Sequence, residues 1–261
     1  MEGRPMLSDS LREDLVTVRI EHRVGAVSLD VQFALAEPWT VLFGPSGSGK
    51  TTVLRAIAGF VQPDGGLIAR GKRVLLDRAA HVFVPPHQRP IRSTAQAARL
   101  FPHMPVRSNA LFGNGWSTKP AEAKQVANEV MRLFGLTKLA DRMPRALSGG
   151  EKQRTSVARA VVSAITFEGP GTALLLLDEP FSGLDNAMRD DLLVSLREYL
   201  RQWRTPVLSV THDIGEAFQL GAEVIKIADG CVVEQGPAAS VLAGDRERLL
   251  EQLNASRKSP A

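Results

Sequence analysis

The chain has 261 residues, 44% apolar and 23% charged, which excludes disordered and fibrous classes and suffices for a substantial core in one large domain or two small ones. Its 32 Lys and Arg against 28 Asp and Glu leave a formal charge of +4, too small and too dispersed to specify nucleic acid or an anionic surface as partner. The one cysteine, Cys231, excludes an intramolecular disulfide and a thiolate metal cage, and the longest apolar run, residues 173–177, is far shorter than the roughly 20 residues that cross a bilayer.

Residues 1–10 are polar and lack the apolar stretch of an export signal, so no export is expected. Residues 27–33 alternate Val27, Leu29, Val31 and Phe33 with small or polar neighbours, the period of a half-buried strand. Residues 40–43 predict a short strand running directly into Gly44, and residues 50–58 predict a helix closed by Gly59. From about residue 85 to 115 there are five prolines and no sustained period, which predicts mainly loops and turns. Pro120 suits the first turn of a helix in which Val126, Val130, Leu133 and Phe134 recur at helical spacing. A second helix follows Gly150, with Val157, Val161 and Ala164 on one face.

Residues 172–177 predict a central strand covered on both faces. Residues 186–203 form a long amphipathic helix that buries Leu192, Leu193, Leu196, Tyr199, Leu200 and Trp203. Strands are predicted at 206–210 and 223–228, and Asp229-Gly230 turns the second of them into 231–233, where Cys231 serves as a small apolar filler. One or two short helices follow Pro237, with a frayed end at 256–261. Alternating strands and helices without an internal repeat predict an α/β fold with a largely parallel sheet.

Gly44-Pro45-Ser46-Gly47-Ser48-Gly49-Lys50-Thr51 fits the pattern G-x-x-x-x-G-K-[ST]. Glycines let successive backbone N–H groups curve around phosphate oxygens at the positive end of the following helix. Lys50 would reach the β- and γ-phosphates, Thr51 would offer a hydroxyl to Mg²⁺, and Thr52 adjoins the same loop. The apolar strand ending at Leu177 delivers Asp178 and Glu179 at its carboxyl end, the edge where ligands bind in such sheets. Asp178 would hold Mg²⁺, directly or through water, and Glu179 would orient or deprotonate a water attacking the γ-phosphate.

Leu147-Ser148-Gly149-Gly150-Glu151-Lys152-Gln153-Arg154 places a serine and two glycines at a helix N-terminus, which favours an anion, while Ser148 can also cap the helix. Over all eight positions it resembles the signature motif of ATP-binding cassette (ABC) proteins, a likeness that extends over about residues 15 to 240. The resemblance implies an α/β P-loop NTPase (RecA-like) fold: a mostly parallel sheet with an antiparallel β subdomain and an inserted helical subdomain. The expected division is a nucleotide-binding core at 1–88 and 161–240, the helical insertion at 89–160 and a short tail at 241–261 without a separate regulatory domain.

The family resemblance assigns further roles. Phe181-Ser182-Gly183-Leu184-Asp185 looks like the segment whose aspartate, here Asp185, meets the opposite subunit, with Gly183 where alanine is usual. His212 looks like the switch histidine that contacts the γ-phosphate, and Gln96 like the glutamine that reaches Mg²⁺ and links the site to membrane subunits. The implied catalytic set is Glu179, His212 and Lys50, with Mg²⁺ held by Thr51, Gln96 and Asp178. ATP is held by Gly44, Pro45, Ser46, Gly47, Ser48, Gly49, Lys50, Thr51, Thr52 and Gln96, completed by Ser148, Gly149, Gly150 and Asp185. The sequence departs from the family in lacking an aromatic residue for adenine at 21–25, which leaves His22 or Val24 there, and in carrying polar residues at 92–95 where an apolar strand is usual.

In such proteins two cassettes pair head to tail, so the resemblance implies a homodimer at the cytoplasmic face of the inner membrane. Its implied partners are integral membrane permease subunits and, indirectly, a solute-binding protein, with no nucleic acid. Residues 98–103, 106–109 and 40–45 are similar to the ATPase subunits of molybdate importers, from which import of molybdate or a related oxyanion is expected. Import of sulfate, ferric iron, polyamine or sugar, or a soluble non-transport ABC ATPase, are the alternatives.

Overall fold

The computed structural model describes residues 16–25, 27–94, 96–112, 120–168 and 171–258, with side chains as far as residue 251. The polar stretch 1–10, Ala95 in the polar segment 92–95, residues 113–115 of the predicted loop region and 259–261 of the predicted frayed end lie outside the described residues.

Eleven strands among the described residues form one sheet: β1 (Val16–Val24), β2 (Val27–Leu35), β3 (Trp39–Phe43), β4 (Gly65–Arg70), β5 (Arg73–Asp77), β6 (Val82–Phe83), β7 (Ile91–Ser93), β8 (Leu174–Asp178), β9 (Val207–Val210), β10 (Glu223–Ala228) and β11 (Cys231–Pro237). Their order is β6-β5-β4-β1-β2-β11-β10-β3-β9-β8-β7. The half from β10 through β3, β9 and β8 to β7 is parallel, whereas β1, β2, β4, β5 and β6 are antiparallel. The helices are α1 (Lys50–Ala58), α2 (Val106–Leu111), α3 (Pro120–Leu133), α4 (Gly149–Ile165), α5 (Asn186–Gln202), α6 (Ile214–Gln219), α7 (Ala238–Val241) and α8 (Ala243–Lys258).

Two apolar cores cover the parallel half, and the sequence of β8 follows from them. Leu175 and Leu177 join the core formed with α3, α4 and α5, while Leu174 and Leu176 join the one formed with α1. A strand packed on both faces needs apolar residues at every position, and each buried leucine stabilises the fold by about 2 kcal/mol. On β1 and β2 only alternate residues are buried, among them Val18, Ile20, Val31 and Phe33, as the period of two predicts.

The carboxyl ends of β3, β9 and β8 lie side by side, because these strands are adjacent and parallel. The glycine-rich loop follows β3, Glu179 follows β8 and His212 lies beyond β9, so three distant segments share one sheet edge.

Arg89 secures the helix that follows the loop. Its fully buried guanidinium donates from Nη1 to the carbonyls of Ala56 and Ile57, at 2.9 and 2.7 Å, and from Nε to that of Val84 at 2.7 Å. Ala56 O also accepts from Gly59 N at 3.1 Å, and a cation at this end of α1 complements the helix dipole. Gly59 closes α1 at φ 85°, and a Cβ on it would fall 2.8 Å from Arg89 Nε. Burial lowers the Arg89 pKa to about 10, so the group stays charged at neutral pH.

The structure corrects four expectations. Residues 91–93, read as loop, form the edge strand β7 paired in parallel with Leu174–Leu176, so the sheet extends past residue 88. Its Arg92 is accommodated because the guanidinium lies over the Phe167 ring, 3.9 Å from its centroid. Cys231 is exposed rather than buried as filler, and the strand it opens runs to Pro237 instead of ending at residue 233. The last helix is 16 residues long and its backbone continues through Lys258, where fraying was expected.

Candidate functional site

The glycine-rich loop folds back on its own lysine. Lys50 Nζ donates to the carbonyl oxygens of Gly44 and Pro45, both at 2.8 Å, and to Ser48 Oγ at 3.4 Å. Gly49 stands just before α1 at φ 97°, a left-handed conformation that a side chain resists, and its missing Cβ lets the loop pack against Leu29. No side chain caps α1 and no acidic residue lies in its first turn, so its N-terminal amides are directed at an incoming anion. Gly44, Ser48 and Lys50 are buried, Gly49 and Thr52 half-buried, and Pro45, Ser46, Gly47 and Thr51 exposed.

At the end of β8, Asp178 is buried and its Oδ1 accepts a hydrogen bond from Thr51 Oγ1 at 3.4 Å. Burial raises the Asp178 pKa, with the bond from Thr51 and the charge of Lys50 acting against it. Burial likewise lowers the Lys50 pKa, opposed by the charges of Glu179 and Asp178. The donor set of hydroxyl and carboxylate oxygens suits Mg²⁺, which binds through one or two carboxylates with phosphate oxygens completing its shell. No cluster of three or more His, Cys, Asp or Glu able to hold a metal occurs among the described residues.

Glu179 carries backbone strain: its φ is 45°, a conformation uncommon outside glycine and asparagine. The surroundings hold it there. Its N–H donates to Val210 O at 3.1 Å, and its carbonyl accepts from Ser182 Oγ at 2.9 Å and Gln153 Nε2 at 3.5 Å. The carboxylate thereby lies between Gln96 Nε2, 3.5 Å from Oε2, and His212 Nδ1, 3.5 Å from Oε1. The His212 ring is 72% exposed.

The structure therefore brings together Lys50, Thr51, Asp178, Glu179, Gln96 and His212. Ser148 and Asp185 make their side-chain hydrogen bonds elsewhere. Ser148 caps α4 in a reciprocal box, accepting from Glu151 N at 3.3 Å while its own N–H donates to Glu151 Oε2 at 2.7 Å. Ser148 and Gly149 are exposed at this helix end, and Gly150 packs near Leu184. Asp185 caps α5 by accepting from Met188 N at 3.0 Å. Of the two residues expected near adenine, His22 is tied to Asp64, Nδ1 to Oδ2 at 3.0 Å, and Val24 is exposed.

Sequence reasoning missed several contributors. Thr94 Oγ1 accepts from Asp178 N at 3.3 Å, Gln153 supports Glu179, and Arg189 Nη1 pairs with Asp213 Oδ2 at 2.8 Å. The last pair left one signal: a cation in the first turn of α5, where the helix dipole favours an anion, needs an acidic partner. Thr94 left none, since its target is a backbone group on a distant strand, and Gln153 was read only as part of the motif at 147–154, without its contact to Glu179.

A family model described as ABC transporter matches residues 28–182. The Molybdenum import ATP-binding protein ModC of Mesorhizobium japonicum is 41% identical over 227 residues, covering 87% of this chain and 59% of the relative. The proteins of the same name from Rhizobium etli and Rhodospirillum rubrum are 38% and 36% identical, covering 87% and 88% of this chain and 61% and 60% of theirs. The chain thus spans about three fifths of the length of these relatives. A dimeric ATP-binding cassette solved in a post-hydrolysis state bound to ADP and Pi is similar in fold, with a TM-score of 0.69 at 24% identity over 85% of this chain and 98% of that one.

Proposed function

We propose that this chain, which belongs to the ABC transporter family, hydrolyses Mg·ATP as one of two paired cassettes and so powers the import of molybdate or a related oxyanion. The observation that carries the catalytic part is the Glu179 carboxylate, held between His212 and Gln96 beside the Thr51–Asp178 pair. The identity of 36–41% to molybdenum import ATP-binding proteins supports the solute class.

In this reading the loop from Gly44 to Thr52 receives the phosphates, and Lys50 exchanges its carbonyl partners for phosphate oxygens. Thr51, Asp178 and Gln96 hold Mg²⁺, which supplies charge neutralisation at the phosphates when bound. Glu179 orients the attacking water or takes its proton, and His212 faces the γ-phosphate. The exposed Ser148–Gly150 end of α4 offers its donors to the nucleotide of a second copy, which Asp185 also meets. The part of the expected insertion 89–160 that lies beyond β7 acts as the arm carrying that end, while Arg89 and β7 belong with the core.

A membrane partner has a place to dock. Thr51, Asp178 and Gln96 border a cleft of about 640 Å³ whose outer wall carries Arg55, Arg99 and the exposed Phe60. A permease loop seated there would touch Gln96 directly, coupling its movement to the site. No helix among the described residues is long and apolar enough to cross a membrane, so we assign the spanning part, and the contact with a solute-binding protein, to other chains at whose cytoplasmic face this one sits.

The test is reconstitution with the candidate permease in vesicles, measuring ATP-dependent uptake of molybdate and of sulfate. Molybdate uptake lost in Glu179→Gln supports the proposal. ATP hydrolysis accompanied by uptake of neither oxyanion overturns the solute assignment.

A further inference from the structure

We infer that Arg189 is a positioning residue that fixes the aim of His212 and ties it to the segment ending at Asp185, an inference that rests on the functional reading above. Arg189 stands four residues beyond Asp185, in the first turn of α5. A cation is disfavoured at this end of a helix, so neighbouring acids must hold it. Its Nη1 lies 2.8 Å from Asp213 Oδ2, and its Nε lies 3.9 Å from Glu216 Oε1 and 3.7 Å from Asp190 Oδ1.

Asp213 is the residue after His212, and its N–H and both carboxylate oxygens are engaged. Its Oδ1 accepts from Gly215 N at 2.7 Å and Glu216 N at 3.3 Å, starting α6, and its N–H donates to Thr211 Oγ1 at 3.0 Å. His212 is thereby bracketed by buried Thr211 and by Asp213, whose remaining oxygen is held by Arg189. The ring itself is largely exposed and meets Glu179 at 3.5 Å, so its direction is set by this bracket more than by packing. Without Arg189, the Asp213 and Glu216 carboxylates would face each other with no cation between them, and the start of α6 would shift.

Arg189 Nε is buried without a hydrogen-bond partner, a state that protein interiors seldom leave standing. A movement of about 1 Å would bring it within reach of Glu216. The closed arrangement would come when Asp185 and α5 are displaced by contact with a second copy. A cleft of about 200 Å³ lined by Ser182, Arg189, His212 and Glu216 gives the room for it.

The experiment compares Arg189→Ala, Arg189→Lys and the exposed control Arg201→Ala in the full chain, each with and without His212→Ala. It records kcat and KM for ATP, the melting midpoint and the ¹H–¹⁵N resonances of the His212 ring. Arg189→Ala should lower kcat by about tenfold or more with KM within about twofold, as a catalytic group displaced by a fraction of an ångström would. Arg189→Lys should recover part of the loss, the His212 resonances should move, and adding Arg189→Ala to His212→Ala should change nothing further. An equal loss with and without His212, or unmoved ring resonances in a folded Arg189→Ala protein, overturns the inference. A wild-type protein that does not hydrolyse ATP refutes the functional reading instead, and the His212 resonances still decide whether Arg189 sets that ring.

Discussion

Thr51 Oγ1 meets Asp178 Oδ1 at 3.4 Å although 127 positions separate the two residues. The first lies in the opening turn of the helix after the glycine-rich loop and the second closes β8, so the contact joins the glycine-rich half of the site to its acidic half. If the pair holds Mg²⁺, Thr51→Val and Asp178→Asn should each weaken Mg²⁺-dependent nucleotide binding by about tenfold, and together by less than the product of the two. Titration of a fluorescent ATP analogue with Mg²⁺ and with EDTA checks this, and binding in EDTA should stay within about twofold.

Glu179 occupies a left-handed conformation that costs about 1–2 kcal/mol for a residue with a side chain. Replacement by glycine removes this strain and a charge next to buried Asp178, partly offset by the greater freedom of glycine in the unfolded chain. Glu179→Gly should therefore raise stability by about 1 kcal/mol, or a melting midpoint by roughly 2–4 °C, while abolishing ATP turnover. Calorimetry of the nucleotide-free protein reads the first effect, and phosphate release the second.

Arg89 serves the end of α1 and Val84 at once, a task its five-donor fork can perform and a single ammonium cannot. Arg89→Ala removes the guanidinium donors from these buried carbonyls and should cost about 3 kcal/mol, with a fall of roughly 10 °C in melting midpoint. Arg89→Lys should lie between the two. Gly59→Ala, which drives a methyl into the guanidinium from a strained backbone, should lower the midpoint in the same way.

Glu216 is buried, and that burial raises its pKa, opposed by Thr211, Arg189 and His212. A carboxylate whose folded pKa exceeds its unfolded one weakens the fold where it is ionised in both states and ceases to do so once protonated in both. Glu216→Gln should accordingly gain stability at neutral pH, and the gain should vanish as pH falls through the raised folded value to below the ordinary carboxylate range. Denaturation with urea across that range checks the sign.

Local pattern carried most of the fold and the phosphate half of the site. The loop, α1 with its closing Gly59, the all-apolar β8 and the acids at its end are each written in consecutive residues. The parts that were not legible depend on partners far along the chain. Nothing local marks Ile91, Arg92 and Ser93 as a strand, because their pairing comes from β8 and the tolerance of Arg92 comes from Phe167. Arg89 reads as one more cation in a proline-rich stretch until α1 is folded against it. The bracket around His212 needed Arg189 and Asp213, which two different strand-to-helix connections bring together.

We propose that Mg·ATP is bound between two copies of this chain. Light scattering of purified Glu179→Gln with and without Mg·ATP tests it most directly, since this variant should bind nucleotide without releasing the pair. The account predicts a stable species of twice the chain mass with Mg·ATP, absent without nucleotide and absent when Lys50→Ala is added. A Glu179→Gln protein that binds Mg·ATP and stays at the mass of one chain would contradict it.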